Sequence, residues 1–552
     1  MTEIPFTSVR KMFEKSFREH WEVPALSNYQ GITLTYGEVA MKIAKIHIGF
    51  GKCGLEAGDK VAICSRNQAN WGVCFLAALT YGAVPVPILH EFKAENIHYL
   101  VNHSDARVFF VDEVIWEGLS ESEMPALQVI VRMNDLKYIY AKDKAMRDVR
   151  YKLVQDFGTI YTNGFHPDDL DYYRDSPDEL ALINYTSGTS GFSKGVMLPY
   201  RALYANVLFA REEAEPQMNC ESEVVAMLPS AHMYGMLFEF LFEMTIGAHV
   251  HFLTRVPSPK IIMSAFQEIK PDIIIAVPLI IEKVYKSQIK PVVDRNKLYM
   301  LLPILDQYIL KKIRNGMIDA FGGRFEEIII GGAAFNPEVE AFLRKIHFPF
   351  TVCYGMTECG PIVTYAKWYR TKKGSCGKPV AGCQIRIDSR NPYKEPGEIQ
   401  VKGDNVFLGY YKNKEATRQS FTNDGWYKTG DMGVIDNDGY LYLRGRSKCM
   451  ILGPSGQNIY PEELEDKLNA LPLVSESLVV SRSKNIIALV VPDWENFKPL
   501  SDAGHKIEDV MADYLQQVNA SLPSYCKINK IEVRTEPFEK TPKKSIKRFL
   551  YK

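Results

Sequence analysis

Hydrophobic positions in the first quarter of the chain form short runs that alternate with segments of helical spacing. The apolar runs at 61–64, 83–86, 108–111 and 128–131 have the length of buried strands, and residues 67–81 have the pattern of a helix. Strands that alternate with helices are typical of parallel sheets whose faces are covered by helices. The sequence therefore predicts an α/β fold with a large N-terminal domain of parallel, helix-flanked sheets.

Apolar periodicity also predicts two longer helices. One covers residues 142–154 in a polar stretch. The other covers residues 296–320, where apolar side chains recur at helical spacing and predict a face turned towards the core. This stripe consists of Leu298, Leu301, Leu302, Leu305, Ile309, Ile313 and Met317.

The pattern changes in the last third of the chain. Residues 374–446 contain short alternating runs separated by Gly, Asp and Asn, which predicts a small β-rich subdomain. Residues 449–552 return to a mixed pattern and predict a small α/β C-terminal lobe. The predicted organisation is an N-terminal domain of residues 1–446 followed by this lobe.

Composition narrows the function classes. The 552 residues are 46% hydrophobic and 24% charged with a net charge of zero, which is typical of a soluble globular protein and argues against general nucleic-acid binding. Ten cysteines without a Cys-x-x-Cys pair or a histidine cluster beside them favour reduced thiols and a cytoplasmic location over disulfides or a zinc site. The longest apolar run, residues 273–281, is too short to span a bilayer, and peripheral contact with a membrane stays open.

A loop rich in hydroxyls and glycines lies between two apolar runs, at residues 185–196. Its glycines let successive backbone N–H groups converge on an anion, and its hydroxyls add donors. Its lysine adds a positive charge, but the spacing does not fit a Walker A motif. The alternative is a surface linker, although linkers rarely lie between two apolar runs. The loop therefore predicts a polyphosphate site formed by Thr186, Ser187, Gly188, Thr189, Ser190, Gly191 and Lys194.

Further motifs follow in a fixed order. They are Pro-x-x-His-x-x-Gly at 229–235, Gly-Gly-Ala at 331–333, Tyr-Gly-Met-Thr-Glu at 354–358 and Trp-Tyr-Lys-Thr-Gly-Asp at 426–431. Together with the loop, they resemble the adenylate-forming superfamily, which contains acyl-CoA synthetases, peptide-synthetase adenylation domains and luciferases. The resemblance covers nearly the whole chain. Residues 310–325 look like the long-chain branch of the acyl-CoA synthetases.

The resemblance implies that the chain binds ATP and Mg²⁺. Thr357 would donate to the α-phosphate and Glu358 would be the metal ligand, since a carboxylate oxygen suits Mg²⁺. Asp431 would accept the ribose hydroxyls, and Arg446 would also contact the nucleotide. The residues expected around adenine are Gly331, Gly332, Ala333, Tyr354 and Gly355.

The same resemblance assigns residues to the acid, to CoA and to a conformational change. His232 would line the pocket of the carboxylic acid, although a lone histidine among apolar residues is more often part of a core. Gly456 would lie beside the pantetheine arm of CoA. Residues 447–448 would form a hinge, with Lys448 at the point where the C-terminal lobe rotates.

The C-terminal motif departs from the family pattern. The long-chain branch usually ends in Thr-Pro-Thr-x-Lys-Ile-Lys-Arg, and its first lysine reaches the carboxylate and the α-phosphate. Aligned without gaps, that lysine falls on Ser545. A serine cannot replace a positive charge beside two anions. We predict that Lys544 takes this role, with Lys543 and Lys547 as weaker candidates.

The resulting prediction is an enzyme, an AMP-forming acid–thiol ligase. It would activate a carboxylic acid, by resemblance a long-chain fatty acid, to an acyl-adenylate and pass the acyl group to CoA. One alternative is transfer to an acyl carrier protein instead of CoA. The other is a non-catalytic protein that binds acyl groups or nucleotides and has kept the fold, which the altered C-terminal motif would explain.

Overall fold

The protein has an α/β fold that consists of a large N-terminal part and a smaller C-terminal lobe. The computed structural model describes residues 7–186, 193–214, 217–255, 258–296, 302–452, 458–482, 485–523, 526–541 and 546–551. Among these residues, no helix combines the length and the apolar character needed to cross a membrane. The ten cysteines are free thiols.

The helices are α1 (Val9–Glu19), α2 (Tyr36–Lys52), α3 (Ala69–Tyr81), α4 (Ala94–His103), α5 (Glu113–Trp116), α6 (Lys144–Ile160), α7 (Tyr200–Ala214), α8 (Met233–Met236), α9 (Phe242–Ile246), α10 (Pro259–Ile269), α11 (Pro278–Val284), α12 (Lys290–Arg295), α13 (Pro303–Ala320), α14 (Pro337–Lys345), α15 (Lys414–Ser420), α16 (Pro461–Asn469), α17 (Trp494–Asp502) and α18 (Ile507–Ala520). A π-helical turn, Leu237–Leu241, joins α8 and α9 into one continuous helix.

The strands are β1 (Pro24–Asn28), β2 (Thr33–Thr35), β3 (Lys60–Cys64), β4 (Val84–Ile88), β5 (Ala106–Val111), β6 (Val129–Arg132), β7 (Tyr138–Ala141), β8 (Leu180–Thr186), β9 (Lys194–Pro199), β10 (Glu223–Ala226), β11 (His249–Phe252), β12 (Ile274–Ala276), β13 (Ile328–Ile330), β14 (Phe350–Val352), β15 (Tyr354–Gly355), β16 (Ile362–Tyr365), β17 (Lys378–Pro379), β18 (Cys383–Asp388), β19 (Gly397–Gly403), β20 (Gly409–Tyr410), β21 (Tyr427–Ile435), β22 (Leu441–Arg446), β23 (Ile451–Leu452), β24 (Asn458–Ile459), β25 (Val474–Arg482), β26 (Asn485–Pro492) and β27 (Lys530–Val533).

The predicted parallel, helix-flanked sheets are confirmed. One sheet has the order β4-β3-β5-β6-β7, and its first four strands run parallel. A second has the order β10-β11-β1-β2, and a parallel bridge between Val224 and Ile273 leads from it to the parallel strands β12, β13 and β14. Strands of a parallel sheet end at one edge, so the loops after β10 to β14 are brought together there.

The long amphipathic helix is shorter than the sequence predicts. It begins at Pro303, a residue that suits the first helical position, and not at residue 296. Leu302 and Leu305 are exposed, whereas Met317 is buried. The predicted core-facing stripe is therefore wrong at Leu302 and Leu305, because their side chains face solvent. Leu298 and Leu301 lie outside the described residues. The helix predicted at 142–154 extends further, over Lys144–Ile160.

The β-rich composition after residue 374 corresponds to an antiparallel sheet of order β18-β19-β21-β22. The following lobe is built on the sheet β25-β26-β27, covered by α16 and α18. The apolar core of this lobe consists of residues from 459 onwards, whereas the main core of the N-terminal part ends at Leu441. The C-terminal lobe thus has a hydrophobic core of its own.

Candidate active site

A large cleft lies where the carboxyl ends of the parallel strands meet the C-terminal lobe. The segments that follow β10 to β14 contribute Leu228, Arg255, Val277, Gly332 and Tyr354 to its wall. Its volume of about 3550 Å³ exceeds the 300–1,000 Å³ of an ordinary small-molecule pocket, so it has room for more than one ligand. Such a crevice at the strand ends is the usual ligand site of open α/β sheets.

The predicted phosphate loop connects two strands of a hairpin. β8 and β9 are antiparallel, and Thr186 pairs with Lys194 where the loop leaves the sheet. Both residues line the cleft, and the Lys194 Nζ lies 4.6 Å from the ring centroid of Tyr410. Ser187, Gly188, Thr189, Ser190 and Gly191 lie outside the described residues. The hairpin therefore delivers the two ends of the loop, and the Lys194 ammonium, to the cleft.

Glu358 contacts the same tyrosine, Tyr410, over whose ring Lys194 lies. Tyr410 is brought in by the pairing of β20 with β9, and its hydroxyl donates to Glu358 Oε1 at 3.0 Å. Burial and the nearby Glu358 raise the pKa of Tyr410, so its hydroxyl keeps the proton that it donates. Thr357, the preceding residue, is buried at the cleft wall.

The surroundings of the Glu358 carboxylate suit its predicted role as a magnesium ligand. It is only partly buried, it lines the cleft, and among the described residues no basic side chain forms an ion pair with it. Mg²⁺ is usually held by one or two carboxylates together with substrate phosphates. A single carboxylate that faces the cleft near a phosphate loop is therefore enough as the protein ligand. The assignment of Glu358 as metal ligand remains a proposal.

Glycines make the floor of the cleft flat. A Cβ on Gly331 would lie 2.8 Å from the Cys353 Sγ, and one on Gly355 would lie 2.3 Å from the Pro361 carbonyl oxygen. Gly332 has a φ of +87°, which L side chains rarely adopt, and Ala333 after it is exposed at the cleft. Gly332, Ala333 and Gly355 therefore line the cleft with little or no side chain, so that a planar ring can lie against them, whereas Gly331 is buried and does not line the cleft.

The buried carboxylate of Asp431 joins Tyr354 and Arg446. The Tyr354 hydroxyl donates to Asp431 Oδ2 at 2.8 Å, and the Arg446 Nε lies 3.1 Å from Asp431 Oδ1. Burial raises the pKa of the Asp431 carboxyl above its ordinary value, although Arg446 and Tyr354 lower it. Asp431 and Arg446 are paired across β21 and β22, which fixes their separation. The three predicted nucleotide residues are therefore in contact with one another.

His232 occupies the start of the helix that follows β10. It is the N-cap of α8, and its ring nitrogen accepts from the Tyr234 N–H at 3.4 Å. The Tyr234 hydroxyl donates to the Ile329 carbonyl at 3.0 Å, which fixes its ring in the wall. His232 lines the cleft as predicted.

A second cavity lies behind Tyr234, on the side away from the nucleotide residues. Tyr234 is part of the wall of both spaces. The cavity is apolar over most of its surface, and its volume of about 40 Å³ is close to that of a single water molecule, about 30 Å³. Its wall combines apolar side chains, among them Phe209, Ala210, Ala214, Phe238, Phe242 and Ile329, with the ionisable residues Glu213, Glu243, Asp272, Glu326, Glu327 and Lys367. Phe238 belongs to the π-helical turn, a feature that is frequent at functional sites.

The predicted hinge and C-terminal residues border the cleft from the other side. Lys448 is exposed in the short turn between β22 and β23 and lines the cleft. Gly456 and Lys544 lie outside the described residues. The described neighbours of Lys544, Thr541 and Ile546, both line the cleft, and Lys547 forms an ion pair with Glu539 at 3.3 Å.

Sequence reasoning missed the buried asparagines that hold the loops of the cleft. The Asn67 amide donates to the carbonyls of Ala226 and Leu228, and its oxygen accepts from the N–H and the hydroxyl of Ser230. Asn206 likewise donates to the Cys359 carbonyl and accepts from the Ile362 N–H, which fixes the turn that carries Glu358. Asparagines are common in ordinary turns, so no sequence signal marks these two.

Comparisons with known proteins agree with this geometry. A family profile described as AMP-binding enzyme matches residues 13–411, and one described as AMP-binding enzyme C-terminal domain matches residues 450–551. The chain belongs to the AMP-binding enzyme family. The predicted membership in the adenylate-forming superfamily, with resemblance to acyl-CoA synthetases, is thereby confirmed.

Curated relatives extend over most of this AMP-binding enzyme. It is 29% identical to long-chain-fatty-acid–CoA ligase FadD15 of Mycobacterium bovis, over 87% of this chain and 81% of the relative. It is 24% identical to long-chain-fatty-acid–CoA ligase ACSBG2 of Gallus gallus, over 89% of this chain and 68% of the relative.

Solved structures share its fold. The anthranilate CoA ligase AuaEII in complex with anthranoyl-AMP has a TM-score of 0.79 at 19% identity, covering 100% of this chain and 97% of that one. ATP-bound MatB from Rhodopseudomonas palustris has a TM-score of 0.77 at 22% identity, covering 98% of each chain.

The asparagine network generates a stability prediction. In Asn67→Asp the side chain keeps its shape but can no longer donate to the two carbonyls, so a buried charge faces them. We expect the free energy of unfolding to fall by about 2–4 kcal/mol and AMP formation to fall with it, because the loop to His232 loses its anchor. Thermal unfolding and product assays measure the two effects. The matched control is Asn163→Asp in an exposed turn, which should change neither, and equal behaviour of both variants would contradict the role of Asn67.

Proposed function

We propose that this AMP-forming acid–CoA ligase activates a long-chain fatty acid. The acid's carboxylate attacks the α-phosphate of ATP, which gives an acyl-adenylate and releases pyrophosphate. The thiol of CoA then attacks the acyl carbonyl, which gives acyl-CoA and releases AMP. The family supports the adenylate chemistry, and the names of the curated relatives support both CoA and the fatty acid.

The observation that carries the choice of acid is the apolar cavity that shares Tyr234 with the cleft. A carboxylate that reacts in the cleft, near His232, leaves its hydrocarbon tail a route past Tyr234 into apolar surroundings. Burying a methylene contributes about 0.8 kcal/mol, so a long tail gains most from such a space. The present volume of the cavity is too small for any tail, so binding must move the cavity walls. These walls include the π-helical turn with Phe238, and Phe242 after it.

We assign the ATP-binding groups by their positions around the cleft. Lys194 and the loop from Thr186 to Gly191 would hold the β- and γ-phosphates. Thr357 would donate to the α-phosphate. Mg²⁺ bound by Glu358 would neutralise phosphate charge. Most of the rate enhancement would come from positioning and charge neutralisation, and no protein nucleophile is required.

The remaining groups would hold the nucleoside. Adenine would lie against Gly332, Ala333 and Gly355, with Gly331 behind them and the Tyr354 ring beside it. The ribose hydroxyls would hydrogen-bond to the Asp431 carboxylate, whose oxygens can accept these bonds in addition to the one from the Tyr354 hydroxyl. Arg446 would stay paired with Asp431 while it contacts the nucleotide.

We also propose that residues 449–552 rotate about residues 447–448 relative to residues 1–446, and that the β-rich part of the N-terminal domain spans about 374–446. The C-terminal lobe has its own core, and the link at Lys448 is a single exposed turn. Such a lobe could present Lys544 for the first step and Gly456, beside CoA, for the second. The alternative acceptor is an acyl carrier protein, and the alternative to an enzyme is a non-catalytic protein that binds acyl groups or nucleotides. We also propose a cytoplasmic location, which is compatible with peripheral contact with a membrane.

The role of Glu358 can be tested by Glu358→Gln. The amide keeps the size and the bond from Tyr410 but loses the charge, so use of Mg-ATP should weaken by about tenfold or more. Thermal stability should stay nearly unchanged, because the side chain is only partly buried. Pyrophosphate release at varied Mg-ATP measures the first effect. The exposed Glu395→Gln is the control, and a collapse of the melting temperature with normal residual activity would mean that Glu358 serves the fold.

The acyl assignment can be tested with a panel of short, medium, long and aromatic acids in an assay of CoA-dependent AMP formation. The unmodified chain should prefer long acids. Ala214→Leu narrows the apolar cavity and should shift the preference towards shorter acids by about tenfold, since one methylene is worth about 1–3 kcal/mol in such a pocket. Ala520→Leu is the control, because Ala520 also ends a helix but is exposed. An identical acid profile in both variants would show that the tail binds elsewhere.

The C-terminal lysine can be tested by pyrophosphate exchange, which reports the first step alone. Lys544→Ala should lower exchange by about tenfold or more, because a positive charge beside two anions is lost. Lys543→Ala is the matched control and should change little. If Lys544→Ala keeps full exchange while Ser545→Lys raises it greatly, Lys544 does not replace the family's lysine, and the natural chain is a slow adenylating enzyme.

A further inference from the structure

A row of polar side chains crosses the sheet β10-β11-β1-β2 on one face. The parallel register pairs Glu223 with His249, and side chains alternate along a strand, so His251 lies on the same face two residues further on. Ser27 of β1 pairs with His251 and continues the row. The alternating positions, such as Val224 and Val250, are buried on the opposite face.

The three titratable side chains of this row converge on one point. Glu223 Oε2 lies 2.5 Å from His251 Nε2 and 3.1 Å from His249 Nδ1. The two imidazole rings have centroids 3.9 Å apart. One ligand atom from each residue lies within 4.8 Å of the other two.

The imidazole of His249 is held by a hydrogen bond on the side of the ring away from Glu223. Its Nε2 lies 2.7 Å from Ser27 Oγ, and Ser27 Oγ lies 2.7 Å from Thr33 Oγ1 on the edge strand. An Nε2–H that donates to Ser27 leaves Nδ1, the nitrogen that faces Glu223, as the lone-pair side of the ring. Such an outer hydrogen bond is the usual way in which proteins fix the tautomer of a metal-binding histidine.

We propose that Glu223, His249 and His251 form a zinc(II) site. Zinc takes imidazole nitrogen and carboxylate oxygen at about 2.0–2.2 Å, in tetrahedral geometry with three protein ligands and one water. Ligand atoms around such an ion are about 3.4 Å apart, as these bond lengths require. The two separations from Glu223 Oε2, 2.5 Å and 3.1 Å, are shorter than that value, so side-chain rotations that move the carboxylate away from the rings would accommodate the ion. Binding releases to solvent the proton shared between Glu223 and His251, since metal ligands must be deprotonated.

Each ligand is anchored on rigid backbone. Glu223 and His249 are the first residues of β10 and β11, and His251 lies within β11. The Glu223 N–H donates to Asp272 Oδ2 at 2.8 Å, and Asp272 is paired with Arg324, which fixes the start of β10. All three ligand side chains are largely covered, with the carboxylate the most exposed at 29%. The site is thus preformed and has one accessible side for a water ligand.

The proposed zinc site is separate from the reaction. Glu223 and His249 lie at the amino ends of β10 and β11, and none of the three ligands lines the cleft. Leu253, beyond the carboxyl end of β11, does line the cleft, and it follows His249 by four residues and His251 by two, which corresponds to roughly 13 Å and 7 Å of strand. The ion would therefore cross-link β10 and β11, the two strands that position the His232 loop. Because it would bind the native state and not the unfolded chain, it would stabilise the fold. It does not depend on the choice of acid or thiol.

The test uses the full-length, tag-free chain after treatment with EDTA. Zn²⁺ is titrated in competition with a chromophoric chelator, and Co²⁺ serves as a spectroscopic probe of tetrahedral nitrogen and oxygen ligation. We expect one tightly bound ion per chain, a tetrahedral Co²⁺ spectrum, and a melting temperature that rises with Zn²⁺. His251→Ala should abolish all three, and Ser27→Ala should weaken binding by about 10–100-fold.

His505→Ala is the matched control, because His505 is an exposed histidine of the C-terminal lobe and should leave binding unchanged. Absence of a bound ion in the unmodified chain would overturn the proposal. So would binding that survives His251→Ala or that falls equally in His505→Ala. If His251→Ala does not fold, the Co²⁺ spectrum of the unmodified chain and the effect of Ser27→Ala decide between the outcomes.

Discussion

The hydrogen bond between Tyr354 and Asp431 links two sheets that the chain builds independently. Tyr354 comes directly after the parallel strand β14, and Asp431 lies in the antiparallel sheet with Arg446 beside it. Because Asp431 is buried, its carboxylate needs partners, and removing either one would leave a costly unpaired group. The antiparallel sheet is thereby held against the cleft, and with it the end of β22, from which the C-terminal lobe follows. This contact thus ties the groups proposed for the ribose and for the hinge to the wall of the cleft.

Supporting side chains matter as much as the motif residues. Glu239 is buried, and its carboxyl oxygens accept from the backbone N–H groups of Met227 and Leu228, while Asn67 holds the carbonyls and Ser230 of the same loop. Burial raises the pKa of Glu239 well above its ordinary value. The segment that leads to His232 is therefore fixed from both sides. Loops at a strand edge have no ladder partners of their own, so such side chains supply the hydrogen bonds that position them.

Prediction from the sequence succeeded where the signal is local. Short apolar runs marked the parallel strands, and the glycine, hydroxyl and acidic motifs pointed to Thr186, Lys194, Thr357, Glu358 and Asp431, which line one cleft, while their roles stay predictions. The helix at 296–320 was misplaced, because periodicity alone does not show that Pro303 starts the helix or that Leu302 and Leu305 remain uncovered. The roles of Asn67 and of the Glu223–His249–His251 group could not be predicted, since both arise from contacts between distant segments. Only the parallel register of β10 with β11 reveals that Glu223 meets His249.

In the proposed binding mode, selection of the acid would depend on how the cavity wall moves and not on its resting volume. Tyr234 divides the cleft from the apolar cavity, and its hydroxyl is bonded to the Ile329 carbonyl of a central strand, which holds the backbone of this wall in place. Phe238, whose ring contacts that of Tyr234, lies in a π-helical turn, where backbone hydrogen bonds follow a wider spacing than in the flanking helices. In the proposed binding mode, a tail would enter by displacing aromatic side chains of this turn and of α9 while Tyr234 keeps its place. The length of acid that fits would then be set by how far the segment from Leu237 to Ile246 can repack, while the geometry around His232 and the nucleotide groups stays unchanged.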